Sequence, residues 1–350
     1  MKKFSVLLSL LLMMIFFYPA ESMARNEEKK KAPAAKTALK KAKKSPGKVQ
    51  DKRNSRKSSA PEIQSAILMN MNNGRILYEE NADKPLQPAS LTKVLSLFLT
   101  YEAMGKGKVC WMDPVLISSA ARQADGSRMY VEAGERVPLE VLIKGMTVIS
   151  ANDASVAVAE HVAGNVDRFV ERMNHKAAEL GMKSSAFRNP NGLPAEGQYT
   201  TARDMLILAN AYLHRFPGSL ALHSMRFYRY KNITQHNCNA LLQKYPGVDG
   251  LKSGFVRAAG YHLIVTARRG NTRLIAVVMG ARNPEIRVRE CRKLLDIGFQ
   301  MLSADSGGHT TAAERAFFAQ PRLEKVPERA IKARYSCDMC THRNYFNIHV

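Results

Sequence analysis

Three stretches of the chain place their apolar residues with different periods. Ile63 to Met71 is a run of small and apolar residues, Asn72-Asn73-Gly74 is a turn signal, and Arg75 to Tyr78 returns. That pattern predicts a β-hairpin at the entrance to a domain. Asn81 to Pro88 reads as a loop leading into a helix near Ser90, whose apolar positions 91, 94, 95, 98 and 99 keep helical spacing up to about Gly105. From about Pro138 to Arg215 the helical period dominates. It predicts one helix through Leu139, Leu142, Ile143 and Met146 that stops at Ser150, a second from about Asp153 to Ala163, a third from Val166 to Leu180 capped by Gly181, and a fourth from Thr201 to His214. After Pro217 the pattern becomes strand-like: Phe227 to Ile233, Gly250 to Phe255, Tyr261 to Arg268 and Arg273 to Gly280, the last two forming a hairpin. Glu285 to Leu302 reads as a closing amphipathic helix. Terminal strands around a helical middle imply an α/β (α+β) fold, with a sheet closed late in sequence, a helical lobe beside it and a cleft between them.

Composition adds the ends. With 350 residues and 45% hydrophobic residues, the chain has material for one large domain or two. Residues 1–24 have a basic start, an apolar run from Phe4 to Tyr18 and a Ser22-Met23-Ala24 ending. They read as a signal peptide, the run being shorter than the ~20 residues of a spanning helix. The alternative is an uncleaved N-terminal anchor. Either way the bulk of the chain is expected outside the cytoplasm, in the periplasm or cell envelope, membrane-associated in the second case. Residues 25–60 carry 14 Lys or Arg against 3 acidic residues and no aromatic residue, so they are expected to be a solvated, disordered tether. An anionic cell-wall polymer or membrane surface is the partner such charge would hold. Nucleic acid is not expected, because no aromatic residue interleaves the lysines.

The five cysteines, Cys110, Cys238, Cys291, Cys337 and Cys340, are too widely spaced for a disulfide framework. Cys337-x-x-Cys340 lacks the second pair a closed zinc site needs, and a local disulfide suits an exported chain better. No metal and no cofactor are expected. His161, His175 and His262 show no metal spacing, and Asp204 reads as a packing or salt-bridge residue.

Three short motifs carry candidate chemistry. In Ser90-Leu91-Thr92-Lys93 a hydroxyl and an amine lie on one helical face, one turn apart. A serine becomes a nucleophile when a neighbouring base takes its proton, and a lysine is that base if burial or a nearby cation lowers its pKa. Ser150-Ala151-Asn152 falls in the break between two helices, where a hydroxyl and an amide two residues apart can relay a proton and hold a substrate amide. Lys252-Ser253-Gly254 lies in a strand: a cation for a carboxylate, a hydroxyl beside it, and a gap where a peptide can approach the strand edge. Singly, each also reads as ordinary structure, as helix caps or as an edge strand protected by lysine.

Together, in this order, they resemble the S-x-x-K, S-D-N and K-T-G set of penicillin-binding proteins and serine β-lactamases. The likeness extends to Pro88-Ala89-Ser90-Leu91-Thr92-Lys93, Asn189-Pro190-Asn191-Gly192-Leu193, Tyr199 to Met205, and Gly247 to Gly254 followed by Ala259-Gly260-Tyr261. Over roughly residues 61–302 the chain looks like the serine D-alanyl-D-alanine carboxypeptidase family, the low-mass penicillin-binding proteins. The resemblance implies a penicillin-binding/β-lactamase-like transpeptidase fold, an antiparallel sheet flanked by helices. It implies hydrolysis of the terminal D-alanine of peptidoglycan stem peptides through an acyl-enzyme, with β-lactam antibiotics as covalent inhibitors. Ser90 would be the nucleophile and Lys93 its base, with Ser150 and Asn152 assisting. Lys252, Ser253, Gly254 and Phe255 would bind substrate, Lys252 taking its carboxylate, and the N–H groups of Ser90 and Phe255 would make the oxyanion hole.

Ser253 stands where the family usually has threonine and keeps the hydroxyl. The segment 305–350 is too short for the additional β-rich domain of many members, and Pro321 and Pro327 interrupt any long amphipathic run, which argues against a C-terminal membrane helix. The family's endopeptidase branch, which cuts D-alanyl crosslinks, is the nearest alternative. A non-catalytic wall-binding protein would be expected to lose the nucleophile or base. A β-lactamase would need a deacylating glutamate, and neither Glu171 nor Glu196 has a recognisable setting for one.

Overall fold

The computed structural model describes residues 61–304. The expected leader, the basic tether, Cys337-x-x-Cys340 and the tail from residue 305 lie outside the described residues. The chain divides into two units, Met1–Lys57 and Ser58–Val350, and every described residue belongs to the second.

Strand β1 (Ser65–Asn70) is buried along its whole length, and β2 (Arg75–Glu80) pairs with it antiparallel. The turn between them is held by Asn side chains: Asn70 Oδ1 accepts from Asn72 N, and Asn73 Oδ1 from Arg75 N. A 3-10 turn, Ala89–Thr92, then precedes helix α1 (Lys93–Gly105). Ser90 therefore sits on a tighter turn than the α-helix its spacing predicts, and positions i and i+3 eclipse there. Between α1 and the next long helix the periodicity predicted nothing. The structure has a short hairpin, β3 (Pro114–Leu116) with β4 (Arg136–Pro138), around a one-turn helix α2 (Ser119–Gln123). Three-residue strands are too short to leave a period in the sequence.

The helical middle matches its pattern closely: α3 (Leu139–Val148), α4 (Asn152–Ala163), α5 (Val166–Glu179) and α6 (Ala202–Arg215). Helix α5 ends in a Schellman arrangement, Met182 N donating to Ala177 O and Gly181 N to Ala178 O, as the glycine predicted. Of the two threonines before α6, Thr201 is the cap, accepting from Asp204 N. Short α7 (Leu220–His223) follows. The strand expected over Phe227 to Ile233 is instead a hairpin, β5 (Phe227–Tyr230) with β6 (Ile233–His236). Lys231, at φ 51, makes its turn without the glycine that usually marks one. A further single turn, α8 (Leu241–Lys244), leads into β7 (Val248–Val256), β8 (Gly260–Arg269), β9 (Thr272–Ala281) and the closing helix α9 (Pro284–Ala304).

The sheet runs β2-β1-β9-β8-β7, with every pair antiparallel. Its two faces follow the alternation of side chains. Ile264, Ile275, Val277 and Met279 join the core of the helical lobe, while Leu263, Val265, Ala276 and Val278 pack against α9. This three-layer arrangement leaves β7 as an edge strand, and it brings the turn Ala89–Thr92 against that strand. Trp111 lies 5.9 Å from Tyr101 on α1, centroid to centroid.

Candidate active site

The site is built from a strained turn and the parts that clamp it. Ala89 adopts φ 50 although it is not glycine, and it is 1% exposed. Such a conformation persists only where the surroundings over-determine it. Three contacts do so. His262 Nε2 lies 3.0 Å from Gln87 O, two residues upstream. Gly254 on β7 comes so close that a methyl group there would stand 3.1 Å from Ser90 N. Gly192, at φ 82, comes closer still, and a methyl group there would overlap Ala89 O. Both glycines are thus needed for close approach to the turn that carries Ser90.

Lys93 opens α1 and is fully buried. Its Nζ lies 3.1 Å from Ser90 Oγ, 2.6 Å from Asn152 Oδ1 and 2.7 Å from Asn191 O. Burial first, and then the charge of Lys252, holds its pKa well below the ordinary 10.5, while Asp153 opposes this. A neutral amine that donates its two N–H groups to Asn152 and Asn191 turns its lone pair toward Ser90 Oγ. That is the position of a general base.

Asn152 is itself held, its Nδ2 donating to Asp125 O at 2.5 Å and its N to Ser127 O at 2.7 Å. Beside it, the Asp153 carboxylate accepts from the N–H groups of Met129, Tyr130 and Ala154 at 2.8–3.1 Å. This carboxylate sews the segment 125–131 to the start of α4. Replacing Asp153 with alanine strands those buried N–H groups. The expected loss is about 2–4 kcal/mol of stability, read as a lower midpoint in urea unfolding. Ser150 sits in the break before Asn152 at φ 62 and is 5% exposed.

On β7, Lys252 is 2% exposed and donates to Ser253 O at 2.9 Å. Burial, with a smaller push from Arg287, lowers its pKa to about 8. The strand is pinned just before it by His223 Nδ1, 2.9 Å from Leu251 O, and by Asn239 Nδ2, which donates to Gly250 O. The Lys252 charge is near enough to disfavour the Lys93 ammonium, and β7 packs against the turn that carries Ser90, so the strand cation and the helix amine belong to one site. Phe255 is half exposed, its ring stacked on Tyr261 at 4.2 Å.

The structure therefore gathers Ser90, Lys93, Asn152, Lys252 and Gly254 around one turn. The sequence alone did not single out Asn191, whose backbone carbonyl holds Lys93, nor Pro190, whose carbonyl accepts from Ser96 Oγ at 2.6 Å and Ser155 Oγ at 2.8 Å. A legible signal was Ser96, which forms a buried polar stripe on α1 with Lys93 and Thr100. His161 bonds Asp113, and Asp204 accepts from Ser184 and Ser185, so both are structural as expected. Glu171 is exposed on α5. Among the described residues no group of three or more His, Cys, Asp and Glu side chains could hold a metal ion, and no helix is long and apolar enough to cross a membrane.

Residues 52–283 match the family model described as D-alanyl-D-alanine carboxypeptidase. The chain is 41% identical over 245 residues to D-alanyl-D-alanine carboxypeptidase DacF of Bacillus subtilis, covering 69% of this chain and 63% of DacF. It thus spans less than two thirds of the length of that relative. Among solved structures, penicillin binding protein 5 from Haemophilus influenzae is similar with a TM-score of 0.67 and 38% identity, over 69% of this chain and 72% of that one. Penicillin-binding protein D2 from Listeria monocytogenes, in its ampicillin-bound form, gives 0.63 and 31%, over 69% and 98%.

Proposed function

Because the chain belongs to the D-alanyl-D-alanine carboxypeptidase family, we propose that it removes the terminal D-alanine of peptidoglycan stem peptides through an acyl-enzyme on Ser90. The observation that carries this reading is the Lys93 amine, buried, lowered in pKa and 3.1 Å from Ser90 Oγ. Ser90 Oγ attacks the carbonyl between the two D-alanines while its proton passes to Lys93 Nζ. The developing oxyanion takes hydrogen bonds from the N–H groups of Ser90 and Phe255, an arrangement supported by the close approach of Gly254 to Ser90 N. Lys252 and the Ser253 hydroxyl hold the substrate carboxylate, and the Lys252 charge keeps Lys93 neutral. Ser150 and Asn152 help return the proton to the departing amine, and water releases the acyl group. Penicillins and cephalosporins enter the same site as acylating inhibitors.

The catalytic unit is the core from residue 61 through α9, which ends at Ala304. The substrate lies outside the cytoplasm. The reading therefore assigns residues 1–24 to export and residues 25–60 to a tether along the anionic envelope.

Fluorescent penicillin tests the proposal. The wild type is expected to take up one label per chain and the Ser90→Ala variant none. Incubation with a stem pentapeptide should give a product lighter by one alanine. Cleavage of a crosslinked dimer with no loss of terminal alanine would instead place the chain in the endopeptidase branch. Labelling that survives in Ser90→Ala would overturn the assignment of the nucleophile.

A further inference from the structure

His223 is a buried titratable side chain that the hydrolysis itself does not use. It ends α7 and is 1% exposed, and both of its ring nitrogens are taken. Nδ1 lies 2.9 Å from Leu251 O on β7, and Nε2 lies 3.0 Å from the Tyr212 hydroxyl on α6. A carbonyl can only accept, so Nδ1 carries the proton. Burial holds the pKa of the ring down to about 3, so the ring is neutral at ordinary pH and Nε2 accepts from the Tyr212 O–H. One tautomer in one orientation satisfies both partners.

One partner leads to the strand cation and the other to the helix of the base. Leu251 immediately precedes Lys252. Lys252 Nζ donates to Ser253 O, the carbonyl of its own neighbour, so the backbone of β7 sets where the ammonium stands. That strand pairs on one side only, with β8, and its other side needs a different anchor. Tyr212 is fully buried, its ring centroid 6.4 Å from Phe98 and 6.1 Å from Tyr101. Both of those rings are on α1, the helix that Lys93 opens. The imidazole stands edge-on to Tyr212 with 5.6 Å between centroids, and a methyl group at Gly250 would lie 3.5 Å from His223 Cβ. His223 thus fills the gap between the helix of the base and the strand of the cation.

We propose that His223, fixed as its Nδ1–H tautomer by Tyr212, is a positioning residue that sets Lys252 at the place of the substrate carboxylate. The inference deepens the acyl-enzyme reading above and rests on it. The N–H of Phe255 is held separately, by the seat of Gly254 against the Ser90 turn. Loss of the bond to Leu251 O therefore falls on carboxylate recognition rather than on the oxyanion hole.

The experiment measures acylation of the full chain by benzylpenicillin and by its methyl ester, which lacks the carboxylate. The ratio of the two rates cancels any general loss of activity, which a merely structural role would cause. In His223→Gln the amide reaches only the Nε2 position and leaves Leu251 O unpaired, and the ratio is expected to fall about 10-fold or more. In His223→Asn the amide nitrogen stands at the Nδ1 position and keeps that bond, so the ratio should stay within about 3-fold of wild type. An unchanged ratio in His223→Gln would overturn the proposal, as would an equal fall in His223→Asn. The wild-type chain supplies a readout that needs no variant. Its ¹⁵N NMR spectrum should show His223 with a proton on Nδ1 and none on Nε2 across the active pH range, and a proton on Nε2 would overturn the assignment. If the wild type takes no penicillin in either form, the acylation reading fails, while the spectrum still judges how His223 is bonded.

Discussion

Lys93→Met is expected to slow penicillin acylation of Ser90 by on the order of 10²–10⁴-fold, with the serine still in place. Methionine fills the buried volume but cannot accept the Ser90 proton, and it leaves Asn152 Oδ1 and Asn191 O without their donor. The wild-type pH profile carries the same argument. Acylation rises with pH as the Lys93 amine loses its proton, at a pH well below the ordinary 10.5, because burial and the Lys252 charge disfavour the ammonium. It falls as Lys252 loses its own proton near pH 8 and releases the carboxylate. Removing the strand cation, as in Lys252→Ala, moves the rising limb to higher pH. Stability follows with the matching sign. Between the lowered pKa and 10.5 the unfolded chain binds more protons at Lys93 than the folded one, so stability rises with pH across that window. The buried ammonium is penalised below it. Lys93→Met removes this part of the slope, measurable by urea unfolding at several pH values, and an unchanged acylation rate would eliminate Lys93 as the base.

Gly192→Ala is expected to be nearly as damaging without touching a reacting atom. The added methyl would overlap Ala89 O and lie 2.8 Å from Thr92 Oγ1, at a backbone φ of 82 that alanine adopts poorly. The clash is with backbone, so no side-chain rotation relieves it. Either the loop from Asn189 to Leu193 moves, taking the Asn191 carbonyl from Lys93, or the Ser90 turn moves away from β7. A destabilisation of about 3 kcal/mol is expected, with acylation down about 100-fold. Gly270 is the control. It also has positive φ, 56, but a methyl group there meets nothing within 4 Å. Gly270→Ala should therefore show the conformational strain alone, with acylation unchanged. Thermal melting and penicillin labelling of the two variants separate steric closeness from glycine's backbone freedom.

The loop from Asn189 to Leu193 shows where a linear reading stops. Its turn residues announced a loop, and its likeness to the family motif announced membership, but neither says that a main-chain carbonyl at position 191 is a ligand of Lys93. A carbonyl is common to all residues and leaves no mark in the side-chain pattern. His262 is similar: it reads as a strand histidine, and only the pairing of β8 beside β7 directs it at Gln87 O. The β3–β4 and β5–β6 hairpins escaped for another reason, since strands of three or four residues are held by their surroundings rather than by periodicity.

By itself, then, the sequence determined the long helices and the two long hairpin strands, whose apolar periods are printed in local order. It also supplied the three motifs, because the hydroxyls, amines and amide they carry are side chains that the sequence prints directly. The tertiary structure decided what those motifs become. Packing β7 against the 3-10 turn brings a second cation, from 159 residues further along the chain, to a buried Lys93, and desolvation together with that charge holds the amine well below the ordinary lysine pKa.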